Sequence, residues 1–219
     1  MMKFDLHIHS KYSGDSKVDP KDIVKVAEKK GLDGLAILDH NSIKGYNKIK
    51  DIDTDLILVP GIEVSTEQGH VGAIGLKEEI GRPKTVKEAI EIIHEHDAIA
   101  VAVHPYRFWS GMGEDVIRGN NWDAMEGMNG RTWHYKNNRS QKLAKEMDLP
   151  MVGGSDAHRL KSVGKTYTIV QNADSWIDLI KDIKQDKTGV GGEDRTYKQT
   201  FFYVRRALGG WIKRGFKRI

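Results

Sequence analysis

The feature that most constrains this chain is a repeated one: short apolar runs that each stop at a residue able to bind a metal. Asp5-Leu6-His7-Ile8-His9-Ser10 opens the series. Gly34-Leu35-Ala36-Ile37-Leu38 runs into Asp39-His40, Leu56 to Ile62 runs into Glu63, and Ile99 to Val103 runs into His104-Pro105. Met151-Val152-Gly153-Gly154-Ser155 runs into Asp156-Ala157-His158. Short β-branched runs bounded by Gly and Pro read as buried strands. Side chains two apart on a strand share a face, so His7 with His9, and Asp156 with His158, form pairs of metal-binding type. An α/β fold that gathers the downstream ends of its strands on one rim would bring all of these groups together.

The rest of the chain alternates in the same way. Strands are predicted over 3–7, 35–39, 56–63, 71–75, 99–103, 124–128, 151–153 and 167–170. Asp19-Pro20 is a helix start and Gly31 a stop, which predicts a helix over about 20–30. Thr85 with Glu88 forms a capping box for a helix to about His96. Further helices are predicted over 136–147 and 174–185. Strand-helix alternation implies a mostly parallel sheet, as a barrel or doubly wound. Residues 111–121, with Trp109 before and Trp122 after, read as a long functional loop.

With 219 residues the expectation is one domain over 1–194 followed by a short extension. The chain has no cysteine, so a metal must be held by His, Asp and Glu. No apolar stretch reaches signal-peptide or membrane-spanning length, and the expected location is cytoplasmic. Oligomeric state is not encoded in any feature of this sequence.

The motifs Asp5-Leu6-His7-Ile8-His9-Ser10, Asp39-His40, Gly61-Ile62-Glu63, His104-Pro105 and Gly154-Ser155-Asp156-Ala157-His158 come in the order and spacing of the PHP (polymerase and histidinol phosphatase) family. The chain resembles that family from its first residues to about Val170. The resemblance implies a distorted (β/α)7 barrel with a trinuclear metal cluster at its C-terminal rim. It assigns His7, His9, Glu63 and Asp156 to a first metal. Glu63, His70 and His104 fall to a second, and Asp15, His40 and His158 to a third. The ions would be manganese, zinc or iron, since mixed imidazole and carboxylate ligands suit all three.

The chemistry such a cluster supports is phosphate ester hydrolysis. There is no covalent nucleophile of the cysteine or Ser-His-Asp kind, whereas metal ions lower the pKa of water and create a bridging hydroxide that attacks phosphorus. Glu63, His104 and Asp156 would serve that reaction directly. Arg107, Arg131 and Arg159 are candidates to neutralise phosphate charge, because guanidinium matches phosphate geometry. Asp5, Asp39, Glu126 and Asn129 are candidates to support ligands from behind. His94 and His96 lie two apart on a helix and so do not share a face. His134 has no ligand-type residue at ligating spacing. The expected substrate is a nucleotide or short nucleic acid, as in the stand-alone phosphoesterases of the family. The alternatives are a histidinol-phosphate-type small-molecule phosphatase and a non-catalytic, metal-bound scaffold.

The last segment differs in character. Residues 195–219 hold eight Lys or Arg and no acid, a charge of +8 against −4 for residues 1–194. Phe201, Val204, Leu208, Trp211, Ile212 and Phe216 follow helical spacing, with Arg206, Lys213, Arg214 and Lys217 on the opposite face. A basic amphipathic helix is expected. It would pack on the barrel or contact nucleic acid or an anionic membrane.

Overall fold

The computed structural model describes residues 1–107 and 110–193. The basic segment 195–219 and Trp109 lie outside the described residues. The strands are β1 (Met2–Ile8), β2 (Gly34–Ile37), β3 (Ile57–Val59), β4 (Gly61–Thr66), β5 (Gly69–Ile74), β6 (Ile99–Ala102), β7 (Ala124–Asn129), β8 (Met151–Gly154), β9 (Thr166–Val170) and β10 (Gly189–Gly192). The helices are α1 (Pro20–Lys29), α2 (Lys44–Asn47), α3 (Val86–Glu95), α4 (Glu114–Arg118), α5 (His134–Glu146) and α6 (Trp176–Lys184).

The helix starts follow their capping residues. Asp19 accepts the Lys21 N–H at 3.0 Å with Pro20 at the first position, and α1 buries Ile23, Val24 and Ala27. Thr85 accepts the Glu88 N–H at 3.1 Å, and Glu88 reaches back to the N–H of Lys84. Ser175 caps α6 through the Asp178 N–H. The expected loop 111–121 instead contains α4, and the Trp122 indole closes it by donating to the Ile117 carbonyl at 3.0 Å.

The strands form two five-stranded sheets, in the orders β10-β9-β1-β2-β3 and β4-β5-β6-β7-β8. This corrects the expectation of a (β/α)7 barrel: the fold is mixed α/β, and among the described residues the strand ladder does not close. The sheets are also less parallel than the alternation implies. β1-β2, β2-β3, β6-β7 and β7-β8 are parallel, while β9 and β10 are antiparallel to their neighbours, as are the pairs β4-β5 and β5-β6.

The predicted strand 56–63 breaks at Pro60, which has no N–H to give a ladder. Its halves, β3 and β4, go to different sheets. The turn at Glu67-Gln68 then folds β5 back on β4 in the register Thr66↔Gly69. β10 escapes the sequence pattern because it is mostly glycine, a residue depleted in strands.

Two isolated bridges join the sheets, and both matter for the site. At one, the Asp156 N–H donates to the His7 carbonyl at 2.7 Å and the His9 N–H donates to the Ala157 carbonyl at 2.9 Å. At the other, the Glu63 N–H donates to the Asp39 carbonyl and the Asn41 N–H to the Glu63 carbonyl. The apolar interior is built from Phe4, Leu6, Leu38, Val59, Ile74 and Val101, flanked by clusters under α1 and α3. The polar groups gather where the sheets meet.

Candidate metal centre

Glu63 is the focus. On β4, and buried, it faces a ring of histidines. Its Oε1 lies 2.9 Å from His70 Nδ1 and 2.8 Å from His104 Nε2. Its Oε2 lies 3.0 Å from His9 Nε2, 3.3 Å from His40 Nδ1 and 3.4 Å from His7 Nε2. Each ring arrives from a different element. His7 is on β1 and His9 just past it, His40 follows β2, His70 is on β5, and His104 follows β6.

Asp156 and His158, after β8, complete the enclosure. Asp156 Oδ1 lies 3.5 Å from both His9 Nε2 and His158 Nδ1. Asp15 receives His158 Nε2 at 2.6 Å and stands 3.8 Å from His40 Nε2. Every metal-ligand residue expected from the sequence therefore reaches one cluster. Ligand atoms of four overlapping sets fall within 4.8 Å of one another: His7-His9-Asp156, His7-Glu63-His104, His9-Asp15-His40 and His40-Glu63-His70.

Neighbouring acceptors aim the ring lone pairs inward. His7 Nδ1 donates to Glu126 Oε1 at 3.0 Å, and His9 Nδ1 is 2.9 Å from Ser13 Oγ. With both Nδ1 atoms engaged outward, the Nε2 atoms of His7 and His9 face each other at 3.1 Å. Two such lone pairs need a positive charge at their focus. His104 Nδ1 is buried with no hydrogen-bond partner among the described residues, and the buried His40 Nδ1 has the Glu63 carboxylate at 3.3 Å but no hydrogen bond to it in good geometry. Buried polar atoms are rarely left so, and a missing ion is one of the few explanations. The donor set, imidazole and carboxylate without thiolate, fits divalent zinc, manganese or iron.

Burial opposes charge on each group here, and the direction of each pKa shift shows which neighbour outweighs it. Burial alone would raise Glu63, but the rings of His40, His70 and His7 hold it well below the carboxylate range. Asp156 is held low against burial by Arg107 and Arg131. Asp15 is held low against burial by His158. For His9 burial wins and lowers the ring to about 3, and burial also lowers His104. These are the deprotonated forms that metal binding requires. His7 goes the other way: Glu126, Glu63 and Asp156 outweigh burial and raise it.

Two ligand positions are held in the left-handed region, His104 at φ 31° and Asp156 at φ 51°. Non-glycine residues adopt this region at a cost of roughly 1–2 kcal/mol, and such residues cluster at functional sites.

The supporting groups differ in part from those expected. Glu126 joins the cluster from behind: its Oε2 accepts the His104 N–H at 2.6 Å and an Asn129 amide N–H at 3.0 Å. Asn129 also reaches Asp156 at 3.3 Å. Asp5 and Asp39, by contrast, bind no ligand ring. Asp5 accepts the backbone N–H groups of Ser155 (2.8 Å) and Gly164 (2.7 Å), and Asp39 accepts the N–H and hydroxyl of Ser10. Burial pushes both carboxyls up to about 6. Arg107 reaches Asp156 at 2.5 Å and Arg131 at 3.1 Å. Arg159 is exposed and makes no ion pair with the cluster. His94 pairs with Asp123 at 2.7 Å and His96 with Glu78 at 3.6 Å, apart from the site. Ser13 was missed as a partner of His9. It lies four residues past His9, three beyond the opening motif, and that spacing was the available signal.

Comparison with known proteins agrees with this geometry. A family model described as PHP domain matches residues 5–107, and one described as PHP-associated matches residues 134–188. The chain is 40% identical over 117 residues to an uncharacterised protein of Methanocaldococcus jannaschii, covering 48% of this chain and 68% of that one. It is 34% identical over 86 residues to a 5'-3' exoribonuclease of Haemophilus influenzae, covering 37% of this chain and 31% of that one. A two-domain protein of Bacteroides vulgatus containing a predicted PHP-like metal-dependent phosphoesterase superposes with a TM-score of 0.69 at 20% identity. That match covers 88% of this chain and 65% of the other, and it is a likeness of fold.

Proposed function

The chain belongs to the PHP domain family, and from that premise we propose that it is a metal-dependent phosphoesterase acting on a nucleotide or short nucleic acid. The observation that carries this reading is the convergence of His7, His9, His40, His70 and His104 on the one buried carboxylate of Glu63. In the proposed trinuclear centre His7, His9, Glu63 and Asp156 hold one ion. Glu63, His70 and His104 hold a second, and Asp15, His40 and His158 a third. Bound ions of this kind polarise phosphoryl oxygens and lower the pKa of water toward neutrality.

The chain's own residues supply the rest. Glu126 and Ser13 keep the His7 and His9 rings in the tautomer whose Nε2 points inward. Arg107 and Arg131 are anchored on Asp156 with side chains 19% and 23% exposed. The outer N–H groups of Arg107 can take phosphate oxygens while its Nη1 holds the carboxylate. The buried floor excludes water from behind the reacting group, which strengthens every charge interaction there. The exoribonuclease among the relatives supports a nucleotide-type substrate over an amino-alcohol phosphate.

The test is hydrolysis of chromogenic phosphate mono- and diesters with added manganese or zinc. Turnover is expected in the wild type. It should vanish in Asp156→Ala and His9→Ala, with far-ultraviolet circular dichroism showing each variant folded. Wild-type rates in either folded variant, or no turnover of any ester with any metal, would overturn the proposal.

A further inference from the structure

The turn after β6 carries two groups of the site, His104 and Arg107, and they are held differently. His104 is fixed where its strand ends: its N–H donates to Glu126 at 2.6 Å and its Nε2 meets Glu63 Oε1 at 2.8 Å. Arg107 lies beyond Pro105, off the strand ladder. Its backbone bonds stay inside the turn, with its N–H donating to the His104 carbonyl at 2.9 Å and its carbonyl accepting the Gly111 N–H at 3.0 Å. A Cβ on Gly111 would stand 2.5 Å from the Arg107 carbonyl oxygen and 2.6 Å from that of Pro105, so the segment closes tightly on itself. Such a turn fixes its own shape but not where it sits.

Tyr106 ties it to the helices. Its ring packs on the apolar cluster that contains Ile117 and Leu143, and its hydroxyl donates to Glu114 Oε2, on α4, at 2.9 Å. The Arg139 guanidinium, on α5, lies over that ring at 4.2 Å from the centroid and donates to the same oxygen at 3.0 Å. Arg118 holds Glu114 Oε1 through Nε at 3.0 Å and Nη2 at 2.9 Å, and reaches Glu146 of α5 at 2.6 Å. The arginine pairs are exposed and add little stability by themselves. What they do is fix the acceptor. Arg139 and Arg118 hold the Glu114 carboxyl down at about 2, while burial and Glu114 push the Tyr106 phenol up to about 12. The phenol therefore stays a donor and the carboxylate an acceptor across the whole working range of pH. Among the described residues of 104–111, Tyr106 alone has a side chain bonded to α4 or α5.

We infer that Tyr106 is a positioning residue: anchored on Glu114 and beneath Arg139, it sets where the Arg107 guanidinium stands beside Asp156, and so how Arg107 grips the substrate phosphate. The inference rests on the phosphoesterase reading above. A group misplaced by about 1 Å can cost on the order of 100-fold in rate. Tyr106→Phe keeps the ring and loses one bond, so a smaller loss is expected.

The experiment is a double-mutant cycle of Tyr106→Phe and Arg107→Ala, read as kcat/KM for thymidine 5'-(p-nitrophenyl phosphate) with manganese or zinc. Tyr106→Phe should lower kcat/KM about tenfold in the wild-type background and about twofold at most in the Arg107→Ala background. Glu114→Ala should match Tyr106→Phe and add nothing to it. Metal affinity by calorimetry should stay within about twofold in Tyr106→Phe, because His104 is held by Glu126 instead. An unchanged rate in Tyr106→Phe, an equal loss in both backgrounds, or a fall in metal affinity that matches the fall in rate overturns the inference and leaves the phosphoesterase reading intact.

If the wild type turns over no ester with either metal, the phosphoesterase reading is at fault. In that case, or if Arg107→Ala is too slow to measure, the same cycle is run on the affinity of the metal-loaded protein for inorganic phosphate. Binding about tenfold weaker in Tyr106→Phe, with the effect lost once Arg107 is replaced, supports the inference. Equal affinities, or no phosphate binding by the wild type, overturn it.

Discussion

Gly154 on β8 packs directly against His7 on β1, across the junction of the two sheets at the metal centre, and Gly154→Ala tests whether that approach holds the site together. A Cβ at this position would stand 2.8 Å from the His7 nitrogen and 3.0 Å from its Cα, and nearer still to its Cβ. Relaxed contacts between such atoms lie at about 3.5–4.0 Å. The atoms met are mostly backbone, so no rotamer change relieves them, and β1 and β8 must separate by roughly half an ångström or more. Overpacking of this kind costs about 1–3 kcal/mol. For a domain of this size that is a melting temperature lower by roughly 2–12 °C.

The same displacement pulls His7 away from Asp156, whose N–H is bonded to the His7 carbonyl. Metal affinity should therefore fall along with stability, by about tenfold for each 1.4 kcal/mol lost from the bound state. Urea unfolding and a metal titration followed by calorimetry read the two effects. Gly189→Ala is the control, since its Cβ would meet nothing nearer than Ile169 at 4.0 Å. If Gly154→Ala matches Gly189→Ala in both stability and metal uptake, the close junction is not what aligns the ligands.

Three further outcomes follow from the site. Glu126→Gln should weaken metal binding about 10–100-fold, because an amide N–H facing His7 Nδ1 favours the tautomer with its proton on Nε2; unchanged affinity by calorimetry would show that Glu126 does not set the ring. Asp5 has a folded pKa of about 6 against an ordinary 3.8, so folding takes up a proton. Its contribution is full below about pH 4 and is lost as pH rises through 6. Asp5→Asn has no such contribution, so the stability of the wild type relative to the variant, in chelator, should fall by about 1.4 kcal/mol from pH 5 to pH 7.5. A difference that stays constant or grows in urea unfolding would refute this. Removing metal with a chelator should lower the melting temperature. An ion held at 100 times its Kd is worth about 2.7 kcal/mol, and no shift on chelation or on adding manganese or zinc back would count against a resident metal.

Much of the site is legible in the sequence because most of its residues sit at the ends of strands. A strand that enters a rim leaves its last residues pointing at whatever the rim encloses, so His7, His40, His104 and Asp156 are legible by position alone, whereas Glu63, at the end of the predicted strand 56–63, stands third in β4. The supporting shell was harder to read. Asp5 and Asp39 are carboxylates beside ligands in sequence, yet they bind backbone N–H groups from Ser155, Gly164 and Ser10. Sequence proximity does not say which way a carboxylate turns. Glu126 supports two ligands from a strand far along the chain.

The chain by itself determined the local elements and the ligand inventory, because capping, apolar periodicity and residue chemistry act over a few neighbours. Which strands pair, and where the ladder stops, was decided only in three dimensions. Pro60 splits one predicted strand between two sheets, and β5 folds back antiparallel where alternation implied a parallel partner. Such choices depend on backbone hydrogen bonds between residues remote in sequence. The junction at Gly154 and His7 is one of them, and it places Asp156 against the first two histidines.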